Sequence, residues 1–413
     1  MGSKNNGKLQ RFAVTGLGLI SPLGIGVRKN WQRLVNGESA VRYEIKNEAF
    51  IARVDGFDMP ETLRQLALAF IAAEEAAKDA NLKMSGYEKS RIGFSCGESK
   101  PNLFHKNYDF DNGLSEQLKN LLKIEGQMRC VSAACATGTL NIIQGCNMIE
   151  EGVCDAVICG TAETSIHPLY VAGFKNMGVL SKKGHCPFDK ERDGFSIGEG
   201  AGFIVIEDMG KALLRGAKIY CELAGKASGV FSDMQFSVNS SDGMERIIRN
   251  ALKDEMPDYV HMHGTGTKLN DYYESLAVAK LQSSECKVQS SNNNSRLPRP
   301  CGARNDRVDD VIASRIENSA KQSSAVNSKS FFVSSTKAAT GHMLGVSGMA
   351  GAIFSIMAIN ENKVPPTINF NETDIPFNLN YIKNTASAQP INSALSLSFG
   401  FGGQGTALFF KRE

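Results

Sequence analysis

The chain has 413 residues, and its 46 basic and 43 acidic side chains leave a formal charge of only +3, so neither nucleic acid nor an anionic membrane is an indicated partner. Its ten cysteines lack CxxC pairs and metal-ligand spacing, and Cys154, Cys159 and Cys221 sit in apolar or Gly/Ala-rich surroundings; this points to reduced thiols in the cytoplasm and no metal site. The longest greasy stretch, Met343 to Ile359, holds three glycines and two serines among 17 residues, which suits a tightly packed core helix better than a membrane span.

At the start, Met1-Gly2-Ser3-Lys4-Asn5-Asn6 lacks the hydroxyl residue a myristoylation signal needs, and no apolar export segment follows. Phe12 to Gly24 reads as a buried strand running into a glycine-rich turn. Gly16-Leu17-Gly18 opens like a dinucleotide-binding fingerprint, but Ser21 stands where the third glycine belongs and Pro22 where the helix should begin, so that reading is rejected. Helices are predicted from Trp31 to Val35 and from Thr62 to Asn81, and a strand from Arg91 to Cys96. Glu98 to Gly126 is polar and poorly periodic and is assigned only to loops and short helices. Ala156 to Glu163 is another buried strand. Pro187 to Gly202 alternates charge with glycine: it is either a solvated turn or a folded loop whose glycines bring backbone close to a site, leading into a strand from Phe203 to Glu207. Tyr259 to Thr267 is a strand alternating toward a turn, so His261 and His263 share a face, and His261 is assigned as a satisfied core histidine. Ser283 to Lys329, rich in Ser, Asn and Arg, reads as a disordered or loosely helical insertion, with a short helix over Val308 to Ile316. Structure resumes at Phe331, and a strand-turn-strand from Ser396 to Phe409 closes the chain.

The chemistry centres on Val131-Ser132-Ala133-Ala134-Cys135-Ala136-Thr137-Gly138, where small residues give way to a helical pattern that lasts until Gly152. A thiol at that junction faces unpaired amides and the positive end of the helix dipole, which favour the thiolate, and the flanking alanines leave room for an incoming carbonyl. Val333-Ser334-Ser335-Thr336-Lys337 echoes this stretch, also running through small residues into a Gly/Ala-rich helix; the echo is either a coincidence of small residues or, if real, the mark of a duplicated α/β unit with related turns meeting at one site. A cysteine with two separated histidines, His263 and His342, suits acyl transfer through a thioester. Two imidazoles can jointly donate to one carbonyl oxygen and stabilise the enolate formed when a carboxylate α to a thioester is lost. Gly402-Gly403 after Phe401 lets backbone point an amide at the acyl oxygen, completing an oxyanion hole with the amide of Cys135.

Five blocks in this order resemble the elongating β-ketoacyl-acyl-carrier-protein synthases: Ala134-Cys135-Ala136-Thr137-Gly138, Pro187-Phe188-Asp189 through Gly202, His263-Gly264-Thr265-Gly266-Thr267, Ser335-Thr336-Lys337 with Gly341-His342, and Phe399-Gly400-Phe401-Gly402-Gly403. The resemblance runs from about Phe12 to Phe410. It implies an α/β, thiolase-like fold of five layers, α-β-α-β-α, in two duplicated halves: residues 10–215 with the nucleophile, and 216–413 with both histidines and the insertion 283–329. It also implies a homodimer with no bound cofactor, whose substrates ride on the phosphopantetheine of an acyl carrier protein. By the same resemblance, Cys135 takes the acyl chain as a thioester, and His263 and His342 bind the malonyl thioester carbonyl and promote decarboxylation. The amides of Cys135 and Phe401 form the oxyanion hole and the Phe401 ring gates the acyl channel. Lys337 tunes the charge around His342. Thr265 and Thr267 bond the pantetheine arm, and Gly402 and Gly403 shape the substrate-binding turn.

The chain departs from the family pattern in places. Gly351 stands where a glutamate usually neutralises the lysine, Leu397 replaces an Asn, Gln404-Gly405 replaces Thr-Asn, and the segment before Cys135 is short. Ser232 to Asn239 lacks the usual His and Pro. A priming synthase would carry Asn for the second histidine, and a thiolase a second cysteine near the C-terminus; the last cysteine here is Cys301. The competing readings are an acyltransferase or specialised synthase of a biosynthetic cluster, and a non-catalytic partner subunit, which the intact Cys135, His263, Lys337 and His342 oppose.

Overall fold

The computed structural model describes residues 10–104, 113–231, 241–282 and 330–413. Ten strands build its main sheet framework as one pattern used twice. The first set is β1 (Phe12–Ser21), β2 (Ile92–Gly97), β3 (Met128–Arg129), β4 (Ala156–Thr164) and β5 (Ile197–Asp208). The second is β6 (Cys221–Val230), β7 (Tyr259–His261), β8 (Phe332–Ser334), β9 (Ser393–Phe399) and β10 (Gln404–Lys411). In the first, β1 and β4 flank β5 antiparallel, then β2 pairs parallel with β4 and β3 with β2. In the second, β6 and β9 flank β10 antiparallel, then β7 pairs parallel with β9 and β8 with β7. The two patterns join where β1 and β6 run antiparallel, and the order across the framework is β8-β7-β9-β10-β6-β1-β5-β4-β2-β3.

The helices repeat as well. In the first unit α1 (Glu61–Asp79) and α2 (Leu114–Leu122) lie on one side of the sheet, and α3 (Thr137–Glu150) on the other. In the second, α4 (Ser241–Leu252) and α5 (Lys268–Ala279) take the outer side and α6 (Gly345–Glu361) the inner. Helices α3 and α6 pack on each other between the two sheets, so the succession is helix, sheet, helix, sheet, helix. A central layer covered on both sides has no polar face to show water, and every residue of α6 from Gly345 to Ile359 is buried. Among the described residues no helix is long and apolar enough to cross a membrane.

Contact between the central helices is closest at their starts. A Cβ on Gly138 would lie 2.8 Å from the Gly345 carbonyl oxygen and 2.9 Å from the Met349 Cβ. No side chain fits there, so the turns that open α3 and α6 meet. One of those turns holds Cys135 and the other holds His342.

Several sequence expectations need correction. The first helix begins at Val27 rather than Trp31, and the alanine-rich helix ends at Asp79, whereas α2 is a short helix of the kind expected in the polar stretch after Glu98. The charged, glycine-rich run is not all loop, because β5 already begins at Ile197 and takes in Gly198, Gly200 and Gly202. Glycine disfavours strands on average, which hid this one. Here the absence of side chains is what the packing requires: a Cβ on Gly200 would sit 2.5 Å from the Ile20 carbonyl oxygen, and one on Gly202 2.7 Å from Met349 Cγ. The insertion 283–329, with the short helix expected over Val308 to Ile316, and the segment Ser232 to Asn239 lie outside the described residues.

Candidate active site

Cys135 lies in a tight 3-10 turn, Ala134–Ala136, two residues ahead of the start of α3. Ala134 adopts φ 46°, a left-handed conformation that costs a non-glycine residue about 1 kcal/mol or more. Thr137 Oγ1 clamps the turn, accepting from the Ala133 amide at 2.9 Å and donating to the Ala134 carbonyl at 2.7 Å. From β9, Ser398 Oγ donates to the Cys135 carbonyl at 2.9 Å. Gly400 lies against the same turn, where a Cβ would come within 3.1 Å of the Cys135 nitrogen. The thiol is thus held between the two halves of the molecule.

His263 follows β7 and His342 follows the short helix Lys337–Thr340, and both are buried. One nitrogen of each imidazole and the Cys135 sulfur lie within 4.8 Å of one another, and the two rings stand 5.5 Å apart at 83°. Partners on the far side decide which nitrogen carries the proton. His342 Nδ1 accepts the Leu344 amide at 3.1 Å and lies 3.0 Å from Ser347 Oγ. Leu344 holds φ 47° at the start of α6, a second strained position beside the site. His263 Nδ1 faces the Lys337 ammonium at 3.2 Å. Both Nδ1 atoms are therefore acceptors, both protons sit on Nε2, and His263 Nε2 is buried without a partner among the described residues. A metal ion at this triad would need lone pairs on Nε2 and protons on Nδ1, facing the Leu344 N–H and the Lys337 ammonium. The arrangement is built to donate to an oxygen rather than to ligate a cation.

Burial sets the resting protonation. His263 and His342 are held well below the ordinary imidazole value, first by desolvation and then by the Lys337 charge. Lys337 itself is lowered to about 8 by burial, against which Glu274 is the largest opposing influence. Cys135 corrects the sequence reading: burial pushes its thiol up to about 11, although Lys337 and the amides of Phe401 and Cys135 pull the other way. The helix start favours a thiolate, but burial of the sulfur costs it more.

Glu274 was not singled out in the sequence. It lies on α5, accepts the amides of His263 at 2.5 Å and Gly264 at 2.8 Å, and is pushed up to about 7 by burial. Its signal was an acidic residue on the buried side of an amphipathic helix. Asp271, one turn earlier, accepts the amides of Phe188 at 2.8 Å and Gly266 at 3.1 Å, tying the Pro187-Phe188-Asp189 block to the histidine turn. Gly194 donates to the Gly266 carbonyl at 2.9 Å, so the charged, glycine-rich run does bring backbone close to the site. Thr265 and Thr267 join hydroxyls at 2.8 Å. The amides of Phe401 and Cys135 both favour the charged form of the Cys135 thiol. The half-buried Phe401 ring rests on the cluster of Ile166, Leu180, Phe195 and Ile197, while Gly402 and Gly403, at φ 90° and 79°, turn the chain behind it. His261 is buried as expected, but only partly satisfied: Nε2 lies 3.0 Å from Thr336 Oγ1, whereas Nδ1 has no partner among the described residues. Its ring fills the space beside Gly351, where a Cβ would come within 2.7 Å of it.

Comparisons with known proteins agree with this geometry. The family model for the N-terminal domain of beta-ketoacyl synthases matches residues 10–212, and that for the C-terminal domain matches 220–295 and 309–371. A 3-oxoacyl-[acyl-carrier-protein] synthase 2 of Synechocystis sp. is 32% identical over 450 aligned positions, covering 98% of each chain. A mitochondrial 3-oxoacyl-[acyl-carrier-protein] synthase of Arabidopsis thaliana is 31% identical, covering 97% of this chain and 93% of its own. Among solved structures, a type II polyketide ketosynthase in complex with its acyl-carrier protein superposes with a TM-score of 0.80 at 27% identity, over 98% of this chain and 100% of the other. The chain belongs to the beta-ketoacyl synthase family, as an enzyme with the Cys-His-His triad of the elongating members that join acyl units by decarboxylative Claisen condensation.

Proposed function

We propose that Cys135 is the acyl acceptor and that His263 and His342 drive decarboxylation of the extender. Its sulfur displaces the pantetheine thiol from an acyl thioester, and one proton passes from the Cys135 thiol to the departing sulfur. A malonyl thioester then binds with its carbonyl oxygen toward the two Nε2–H groups. Loss of CO₂ leaves the electron pair on the α-carbon and negative charge on that oxygen, where two preorganised donors stabilise it. The carbanion attacks the acyl carbonyl, the oxyanion forms against the amides of Cys135 and Phe401, and collapse expels Cys135 as thiolate. The thiolate takes one proton from solvent as the product leaves, and a pocket that holds the free thiol at about 11 favours that neutral form. The observation that carries this reading is the pair of imidazoles whose Nδ1 atoms already accept, leaving Nε2–H for substrate.

Lys337 keeps His263 in the donating tautomer, Thr265 and Thr267 bond the pantetheine arm, Gly402 and Gly403 shape the substrate turn, and the Phe401 ring gates the acyl channel. The substrates are acyl and malonyl thioesters on an acyl carrier protein, supported by the carrier–ketosynthase complex among the similar structures. The halves 10–215 and 216–413 act as one cytoplasmic unit that pairs with a second copy, and the open sheet edge at β3 offers the strand for that pairing. Intact mass spectrometry after incubation with acyl-carrier thioesters of graded length tests this reading. One acyl mass on the parent and none on Cys135→Ala is expected; equal loading of both proteins would sink it.

A further inference from the structure

Besides His261, one more buried imidazole braces the segments that carry His263 and His342. His185 is fully buried in the loop ahead of Pro187. The Ser196 amide donates to its Nδ1 at 3.4 Å, so Nε2 carries the proton and donates to the Thr265 carbonyl at 2.8 Å. Thr265 lies two residues beyond His263. Ser196 accepts the His342 amide on its carbonyl at 2.6 Å, and Gly198 donates to the His342 carbonyl at 2.9 Å. One ring thus touches the turn after His263 and the strand that grips both backbone groups of His342. Room for it is made at Gly266, where a Cβ would press 3.0 Å from the His185 Cδ2. The His185 carbonyl is anchored in turn by Asn369 Nδ2 at 3.0 Å.

We infer that His185 is a positioning residue for decarboxylation: through the Thr265 carbonyl and the Ser196 amide it sets the separation and aim of His263 and His342. The inference rests on the roles proposed for those two histidines. It does not extend to Cys135, which stands on a different turn with its own clamp in Thr137 and Ser398. A brace of this kind differs from a merely packed histidine in a measurable way, because losing it misaligns the donors and leaves the nucleophile alone.

The test compares H185F, which keeps a ring but neither hydrogen bond, with H185Q, whose carboxamide can still donate to the Thr265 carbonyl. Acyl loading of Cys135, labelled CO₂ release from malonyl-carrier thioester and the melting temperature are measured for each. H185F should slow CO₂ release by about tenfold to a hundredfold, the cost of a small misplacement of reacting groups, while loading stays within about threefold. H185Q should recover most of the lost rate. CO₂ release at the parent's rate in folded H185F would overturn the inference, and so would parallel losses of loading and CO₂ release in both variants. If H185F does not fold, H185N, too short to reach Thr265, takes its place under the same criteria. H263A and H342A are run alongside: if they decarboxylate like the parent, the roles of the two histidines fail, whereas if they are impaired and H185F is not, only the brace fails.

Discussion

Replacing His342 with alanine removes one of the two donors aimed at the developing enolate and leaves the acyl-accepting sulfur in place. Loss of a single preorganised donor to an oxyanion slows a reaction by about 10²–10³, or roughly 3–4 kcal/mol of barrier. His342→Ala should therefore release CO₂ from malonyl-carrier thioester about that much more slowly, and His263→Ala should behave alike. Cys135→Ala should still decarboxylate while loading no acyl group. The substitution also orphans the Leu344 amide, whose partner is His342 Nδ1 at 3.1 Å, and a buried unpaired amide costs about 1–3 kcal/mol. A lower melting temperature will thus accompany the kinetic loss, so both assays are run well below it. Separate measurement of acyl loading by mass and of labelled CO₂ isolates the chemistry. If both histidine variants release CO₂ at the parent's rate, the decarboxylating role is wrong and a simple acyltransferase becomes the better reading.

Lys337 supplies a pH limb: with its ammonium lowered to about 8, CO₂ release should fall as pH rises through that value and the proton holding the His263 tautomer is lost, and Lys337→Gln should remove the limb. Because His263 and His342 lie well below the ordinary imidazole range, no histidine titration should appear in the rate between about pH 6 and 8. Cys135, raised to about 11 by burial, should be alkylated by iodoacetamide ever faster with rising pH and without a plateau below pH 9, as followed by peptide mapping; a plateau near neutrality would refute the desolvated thiol. Gly351→Ala would place a Cβ 2.7 Å from the His261 ring and should cost about 1–3 kcal/mol in thermal unfolding. His261→Ala should cancel most of that cost in the double variant, and additive costs would show that the ring is not what excludes the side chain.

How far the site could be read from sequence depended on the range of the interactions involved. The Cys135 turn, the strand before His263 and the glycine-rich helix after His342 are announced by small residues, alternation and a change of period, all properties of a dozen neighbouring residues. Glu274 was missed because its role is to accept amides eleven residues away in the chain, across a turn whose course the sequence does not specify. Strand β5 was read too short because its glycines answer to Ile20 and Met349, distant residues that leave no space for a Cβ. Cys135 was misjudged for the same reason. A helix start is a local feature, whereas the dry environment that raises the thiol is assembled from both halves.

By itself, the sequence determined the residue types and their local conformations: a cysteine before a helix, two histidines after strands, and a lysine beside one of them. It also contained the duplication, as two stretches of small residues each leading into a central helix. Only the tertiary structure decided that those helices meet at Gly138 and Gly345, which brings a sulfur and two imidazoles together from three turns that lie far apart in the chain. Only it decided the tautomers, since the partners of each Nδ1 come from Leu344 and Lys337 in particular orientations. Covalent connectivity limits which groups can be near one another, but the direction of a hydrogen bond and the loss of water around a charge depend on packing from every side.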